Sequence, residues 1–193
     1  SLDSLDPDNF RRLTRVGDVH QVLKGLDAAI AAGFSSIKLN SVVLKHYNAE
    51  EVTRLVQFAL DKKIDISFIE EMPLGKITEH GRDLEFVSSA DLRQTLKKDF
   101  NLIPDIQKED HDGPSKYWRI ANHTSRIGFI SPHSDNFCGS CNRVRITATG
   151  RLLLCLGQEN SVDLRKILRE SATPEQHLQQ AIIDAMQQKP EKH

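Results

Sequence analysis

No run of about eighteen apolar residues occurs anywhere in the chain, and the N-terminus lacks the charged-then-apolar pattern of a secretory signal. The expectation is therefore a soluble protein of the cytoplasm with no membrane association. Neither sign of charge is in excess. Lys plus Arg number 26 and Asp plus Glu 27, a formal net charge of -1, which leaves no overall field to hold a nucleic-acid backbone and argues against a nucleic-acid partner. Cysteine is scarce: there are three, an odd number, all between positions 138 and 155, which suits a metal site in a reducing compartment better than a disulfide framework. A glycine-rich phosphate loop of the GxxxxGK[ST] kind is missing, which argues against an ordinary GTPase. Repeats and low-complexity tracts are missing too. So is an initiator Met, and the chain stops at Lys189-Pro190-Glu191-Lys192-His193 directly after a helical pattern, so a piece of a longer protein is expected.

With 193 residues, 38% of them hydrophobic, there is enough chain for a core of domain size in one or two units. Val19, Val22, Leu23, Leu26, Ala29 and Ile30 recur at helical spacing up to Gly33. The branched stretch Ser36 to Leu44 reads as a strand. Asn48 and Glu51 read as a capping box for a helix with Val52, Leu55, Val56, Ala59 and Leu60 inside, and Ile64 to Ile69 reads as the next strand. Alternating strands and helices at this spacing predict an α/β fold with a parallel sheet, and up to about residue 75 we expect the second half of an incomplete TIM-like barrel. Open edges on such a sheet are a hazard, so further strands on the N-terminal side are expected.

Beyond residue 75 the composition turns polar. Ser88 to Phe100 predicts a helix, after which Ser115 to Ile120, Arg126 to Ile130, Asn142 to Thr149 and Arg151 to Leu156 are strand candidates for a small antiparallel layer. Ala148 to Arg151 reads as a hairpin turn. Thr173-Pro174 with Gln176 starts a last helix whose stripe is Leu178, Ala181, Ile182, Ala185 and Met186. The expected domains are thus residues 1–75, a barrel half, and 76–193, an α+β region carrying the cysteines.

Cys138-Gly139-Ser140-Cys141, followed by Cys155, carries the strongest chemistry. Close-set thiolates are what iron and zinc need, because ligands already on one tight turn leave less disorder to remove when the metal binds. Zinc usually takes four protein ligands, and the nearby fourth candidate is His133, whereas three cysteines fit a cubane cluster with one iron open to a substrate atom. Alternation along Asn142 to Thr147 puts Arg143 and Arg145 on one strand face, roughly 7 Å apart, a separation that suits a polyphosphate. A solvated strand face is the alternative. Lys38 and Asn40 share a face opposite Ile37 and Leu39, either directed towards a site or snorkelling to solvent. Met72, just past the next strand, lies where barrel enzymes collect ligand contacts but is also ordinary core filler. Ser1, Asp3 and Asp6 read as turn and capping residues before Pro7.

Ser1-Leu2-Asp3-Ser4-Leu5-Asp6, Ile37-Lys38-Leu39-Asn40, Phe68-Ile69-Glu70-Glu71-Met72-Pro73-Leu74-Gly75 and the run from Phe137 to Leu156 together resemble the GTP 3',8-cyclase family, the radical S-adenosylmethionine enzymes of molybdenum cofactor biosynthesis. The resemblance spans essentially the whole chain. It implies a lyase that uses S-adenosylmethionine to make a 5'-deoxyadenosyl radical and converts GTP to (8S)-3',8-cyclo-7,8-dihydroguanosine 5'-triphosphate. It also implies two 4Fe-4S clusters, a possible homodimer, and cyclic pyranopterin monophosphate synthase as the downstream enzyme. Carried over by position, Cys138, Cys141 and Cys155 match the ligands of the C-terminal 4Fe-4S cluster. Lys38, Arg143, Val144 and Arg145 match GTP contacts, Arg143 and Arg145 also matching catalytic positions, while Ser1 and Met72 match S-adenosylmethionine contacts. The family's N-terminal CxxxCxxC and its Gly-Gly tail are absent from this chain, so the polypeptide by itself is expected to be inactive. Two other readings stay open: a zinc-ribbon-like binding module completed by His133, and a cluster-based guanine-nucleotide sensor.

Overall fold

The computed structural model describes residues 1–72, 85–106, 113–135, 137, 139, 141, 143–155 and 160–189. Cys138 and the segment Pro73-Leu74-Gly75 lie outside them. Asp6 and Pro7 start the first helix, α1 (Pro7–Thr14), with the Asp6 carboxylate accepting from the Asn9 amide at 2.8 Å, as its sequence predicts. α2 (Val19–Ala31) opens at Asp18 and stops just short of Gly33. β1 (Lys38–Val43) and β2 (Asp65–Glu70) flank α3 (Val52–Lys62), whose Val52, Leu55, Val56, Ala59 and Leu60 are buried as the stripe predicts.

The expected capping box does not form. A 3-10 turn at Ala49–Glu51 precedes α3, and neither Asn48 nor Glu51 makes a side-chain cap. Buried Asn48 instead donates to the Asp3 and Val42 carbonyls and accepts from the Leu44 amide. Glu51 accepts from Ser4 Oγ, the Leu5 amide and Asn9 Nδ2. The N-terminal segment brings buried polar groups that need partners, and these two side chains supply them in preference to the helix start.

After β2 come α4 (Ser89–Leu96), capped by Ser88, then β3 (Leu102–Pro104), β4 (Lys116–Ile120) and β5 (Arg126–Ile130). They complete one five-stranded sheet in the order β1-β2-β5-β4-β3, with β1, β2 and β5 parallel and β4 and β3 antiparallel to their neighbours. β4 and β5 therefore join the parallel strands rather than a separate antiparallel layer. The physical reason is in β5 itself: Ile127, Gly128 and Phe129 are all buried, which is the environment of a central strand covered on both faces. The core is built on Phe68 and Phe129, with ring centroids 6.0 Å apart, and on Trp118, whose ring meets Phe129 edge-on at 5.1 Å.

Residues 1–72 with 77–135 make one compact unit, and 73–76 with 136–193 a second. In the second, β6 (Arg145–Ile146), β7 (Arg151–Leu153) and β8 (Ser161–Asp163) form an antiparallel sheet in that order, followed by α5 (Leu164–Glu170) and α6 (Pro174–Gln187). Its buried residues are Leu152, Leu154, Leu164 and Ala185, with Leu178 packed at their margin. Ile182 and Met186, placed in the stripe of the last helix by their spacing, are exposed together with Ile183. Among the described residues no helix is long and apolar enough to cross a membrane.

Candidate functional site

The cysteine region is organised by the β6-β7 hairpin. Gly150 closes its turn with φ +81°, backbone that side-chain-bearing residues rarely adopt, and an added Cβ there would meet Arg165 Cβ at 2.7 Å. The Gly150 carbonyl accepts from the Leu164 and Arg165 amides at 3.0 and 3.2 Å, so the hairpin tip is tied to the start of α5. Antiparallel pairing sets Arg145 opposite Leu153. Hence the chain entering β6, which carries Cys141, and the chain leaving β7, which carries Cys155, emerge at the same end of the ribbon. Both thiols are half-buried and neither is in a disulfide. The third expected ligand, Cys138, lies outside the described residues, and among those described no group of three or more His, Cys, Asp or Glu is gathered for a metal.

The open end of the hairpin is fastened by a residue that the sequence reading did not single out. Lys189, just past α6, donates from Nζ to the Arg143 carbonyl at 2.8 Å and to the Leu154 carbonyl at 2.7 Å. One ammonium thus bridges the segment after Cys141 and the residue before Cys155. Burial by itself would raise the Cys141 thiol. Hydrogen bonds from the Arg143 backbone and side chain, with the charges of Lys189 and Arg143, outweigh burial and hold it below the usual thiol range.

Regular pairing covers Arg145 and Ile146 alone, so Arg143 stands before β6 and the strand alternation predicted for the two arginines does not reach it. The Arg143 guanidinium lies over the Phe137 ring, 5.5 Å from its centroid. Arg145 is exposed, as are Val144 and Ile146.

In the first unit, Lys38 begins β1 and Asn40 follows on the same face, with Leu39, Ser41 and Val43 buried on the other, in the arrangement predicted for them. Lys38 Nζ donates to the Tyr117 hydroxyl at 3.2 Å. Arg126 stacks on the ring of that tyrosine, its guanidinium 4.3 Å from the centroid, while its Nε and backbone N–H donate to the Asp65 carboxylate at 2.9 and 2.8 Å. Ser1 is exposed at the head of a segment that runs along β1, where the Leu2 amide donates to the Asn40 carbonyl and the Val42 amide to Asp3 Oδ1. Burial raises the Asp3 carboxyl above its usual range despite that hydrogen bond. Met72 is half-buried two residues beyond β2, at the opposite end of the parallel strands from Lys38.

Glu70, the last residue of β2, is fully buried and unforeseen in the sequence. Its carboxylate accepts from the Ser89, His133 and Ser134 amides at 2.7, 3.2 and 2.9 Å and from Ser134 Oγ. Burial would raise it, but the hydrogen bonds from Ser134 and Ser89 win and lower it below the usual carboxylate range. The segment running from β5 towards the cysteines is thereby fixed, and His133, the candidate fourth zinc ligand, packs its ring on Phe86 at 4.8 Å.

The fold and this site define a mixed α/β protein with thiols and guanidinium groups gathered on a short hairpin of its second unit. By the match of the family described as Molybdenum Cofactor Synthesis C to residues 64–193, the chain belongs to that family. It is also 56% identical over 193 residues to a GTP 3',8-cyclase of Saccharophagus degradans, 57% over 194 residues to one of Pseudomonas entomophila and 55% over 193 residues to one of Marinobacter nauticus. Each match covers 100% of this chain and 58% of the relative, so the chain spans little more than half the length of these proteins.

Proposed function

We propose that this chain is the cluster- and nucleotide-binding portion of a GTP 3',8-cyclase, with β1, β2 and β5 as part of an incomplete TIM-like barrel. Cys138, Cys141 and Cys155 would hold a 4Fe-4S cluster. The residues described fit that group, because thiolate is the ligating form and the cations beside Cys141 favour it. When bound, a cubane with one iron free of protein ligands supplies a Lewis-acid position for a nitrogen or oxygen of the guanine base.

The work of this chain's own residues is to bind and orient GTP. Arg143 and Arg145, the proposed catalytic residues, offer planar forks for phosphate oxygens, and Lys38 offers a point charge. The Val144 backbone between the arginines completes that contact. Ser1 and Met72 would meet S-adenosylmethionine, whose cleavage to the 5'-deoxyadenosyl radical belongs to the longer protein with its own 4Fe-4S cluster. The whole enzyme would act in the cytoplasm as a homodimer and deliver its product to cyclic pyranopterin monophosphate synthase.

The observation that carries this reading is the pairing of Arg145 with Leu153, which brings the Cys141 and Cys155 ends of the hairpin together beside Arg143 and Lys189. Anaerobic purification with iron, sulfide and zinc counts tests it. About four irons per chain, broad visible absorption and saturable GTP binding are expected, with no cyclised product from this chain alone. A colourless protein with one zinc after anaerobic reconstitution would overturn the reading in favour of a zinc-binding module.

A further inference from the structure

Lys38 and Tyr117 come from strands that are not neighbours. The row of paired residues Asn40, Ser67, Gly128 and Tyr117 crosses β1, β2, β5 and β4 on one face of the sheet, and its middle members are small. At Gly128 a Cβ would sit 2.9 Å from Tyr117 Cε1 and closer still to the Ser67 and Ser115 hydroxyls, which contact each other at 3.0 Å. The tyrosine ring edge therefore occupies space beside Gly128 that a side chain at that position would take. From there its hydroxyl reaches across β5 and β2 to accept from Lys38 Nζ. The ring itself is covered by the Arg126 guanidinium, whose Nε donates to Asp65 while the Arg126 backbone N–H donates to the same carboxylate. Beside Lys38, the Asn40 Oδ1 atom is buried without a hydrogen-bond partner among the described residues, so this face keeps an acceptor for a ligand donor.

We infer that Tyr117 is a positioning residue: its hydroxyl, on a ring seated beside Gly128, holds the Lys38 ammonium on the polar face of the sheet in the place where it meets the phosphate oxygens of a nucleoside triphosphate. The inference rests on the reading of Lys38 as a GTP contact. A lysine stem has four rotatable bonds, and fixing its end before the ligand arrives removes an ordering cost from binding. The phenol serves because it accepts from the ammonium through one lone pair and leaves the remaining ammonium protons for the ligand.

The test is equilibrium binding of GTP, and separately of inorganic tripolyphosphate, to the anaerobically reconstituted protein and to Tyr117→Phe, Lys38→Met and the double variant. Iron content and the thermal midpoint are measured for each. Tyr117→Phe keeps the ring and the packing, so iron content is expected to stay unchanged while Kd for both ligands rises about 3- to 10-fold. Lys38→Met raises Kd more, and adding Tyr117→Phe to it raises Kd no further. Full Tyr117→Phe sensitivity in the Lys38→Met background, or none in the parent, would overturn the role of Tyr117 while leaving Lys38 as a contact. A Lys38→Met protein that binds GTP as tightly as the parent would overturn the underlying assignment instead. Should the aromatic variant lose stability, Gly128→Ala, which crowds the same ring from below, must weaken tripolyphosphate binding through Lys38 alone for the inference to stand.

Discussion

The two units of the chain are stabilised in different ways. The first buries Phe68, Phe129, Leu55, Ile66, Ile127 and Leu96 almost completely around a five-stranded sheet. The second has four buried apolar residues among those described, a β6 of two residues and a long α6 with Ile182, Ile183 and Met186 on the surface. Apolar burial of about 25 cal/mol per Å² is ample for the first and thin for the second. What the second has instead is a set of point fastenings at the two ends of one hairpin, Gly150 to α5 and Lys189 to both strand ends. A unit of that kind gains much of its order from whatever its thiols bind, since metal-binding energy is then folding energy.

The widest separation between the units should come from Cys141→Ser. Amide hydrogen exchange over residues 143–155 and 174–187 is expected to lose nearly all protection when cluster binding is abolished, with residues 52–70 unchanged. Equal loss in both would break the comparison. Phe68→Ala should do the reverse. It removes a fully buried ring and is expected to cost about 3–5 kcal/mol in the first unit's denaturant unfolding, with the exchange of the second unit unaltered.

Glu70→Gln comes next, at about 1.5–3 kcal/mol, because three amides and a hydroxyl lose a charged acceptor. The sign of its pH dependence follows from the lowered carboxyl: the stability it adds is present above the carboxyl's unfolded value and lost as pH falls through its folded one. Acid titration of the parent should therefore destabilise the first unit more steeply than it does the Gln variant, and parallel curves would refute that assignment. The smallest effect is expected from Lys189→Met, a roughly threefold faster iron release to a chelator at unchanged first-unit stability, with Lys189→Arg close to the parent because its guanidinium also donates to two carbonyls. An unchanged release rate would show that the hairpin end needs no fastening.

Much of the fold is legible in local pattern. The stripe of α3, the Asp6-Pro7 helix start and the polar and apolar faces of β1 all follow from periodicity and capping chemistry, and all are present. What escaped depends on partners far along the chain. Asn48 and Glu51 have the right spacing for a capping box, yet the segment at residues 3–9 competes for them and wins. The buried run of β5 suits it to a central strand, but its direction is set by the pairing with β2, which lies about sixty residues earlier and leaves no local pattern. In the candidate site, the thiol spacing and the arginines could be read from the sequence. Lys189, Tyr117 and Glu70 could not, because lysine after a helix, tyrosine in a strand and glutamate at a strand end are ordinary until the fold gives each its partner.

The strand order has a further consequence, in the sequence of events as a chain emerges from the ribosome. β5 lies between β2 and β4, so the sheet cannot close until residues 126–130 have been made, whereas among the described residues the strand pairings of the second unit join residues close in sequence. Synthesis runs from the N-terminus, and domains fold as they become available. Every strand of the long-range sheet is thereby made before the last cysteine and Lys189 appear, and the ligand-bearing hairpin, assembled from neighbours, is the last to have all its residues.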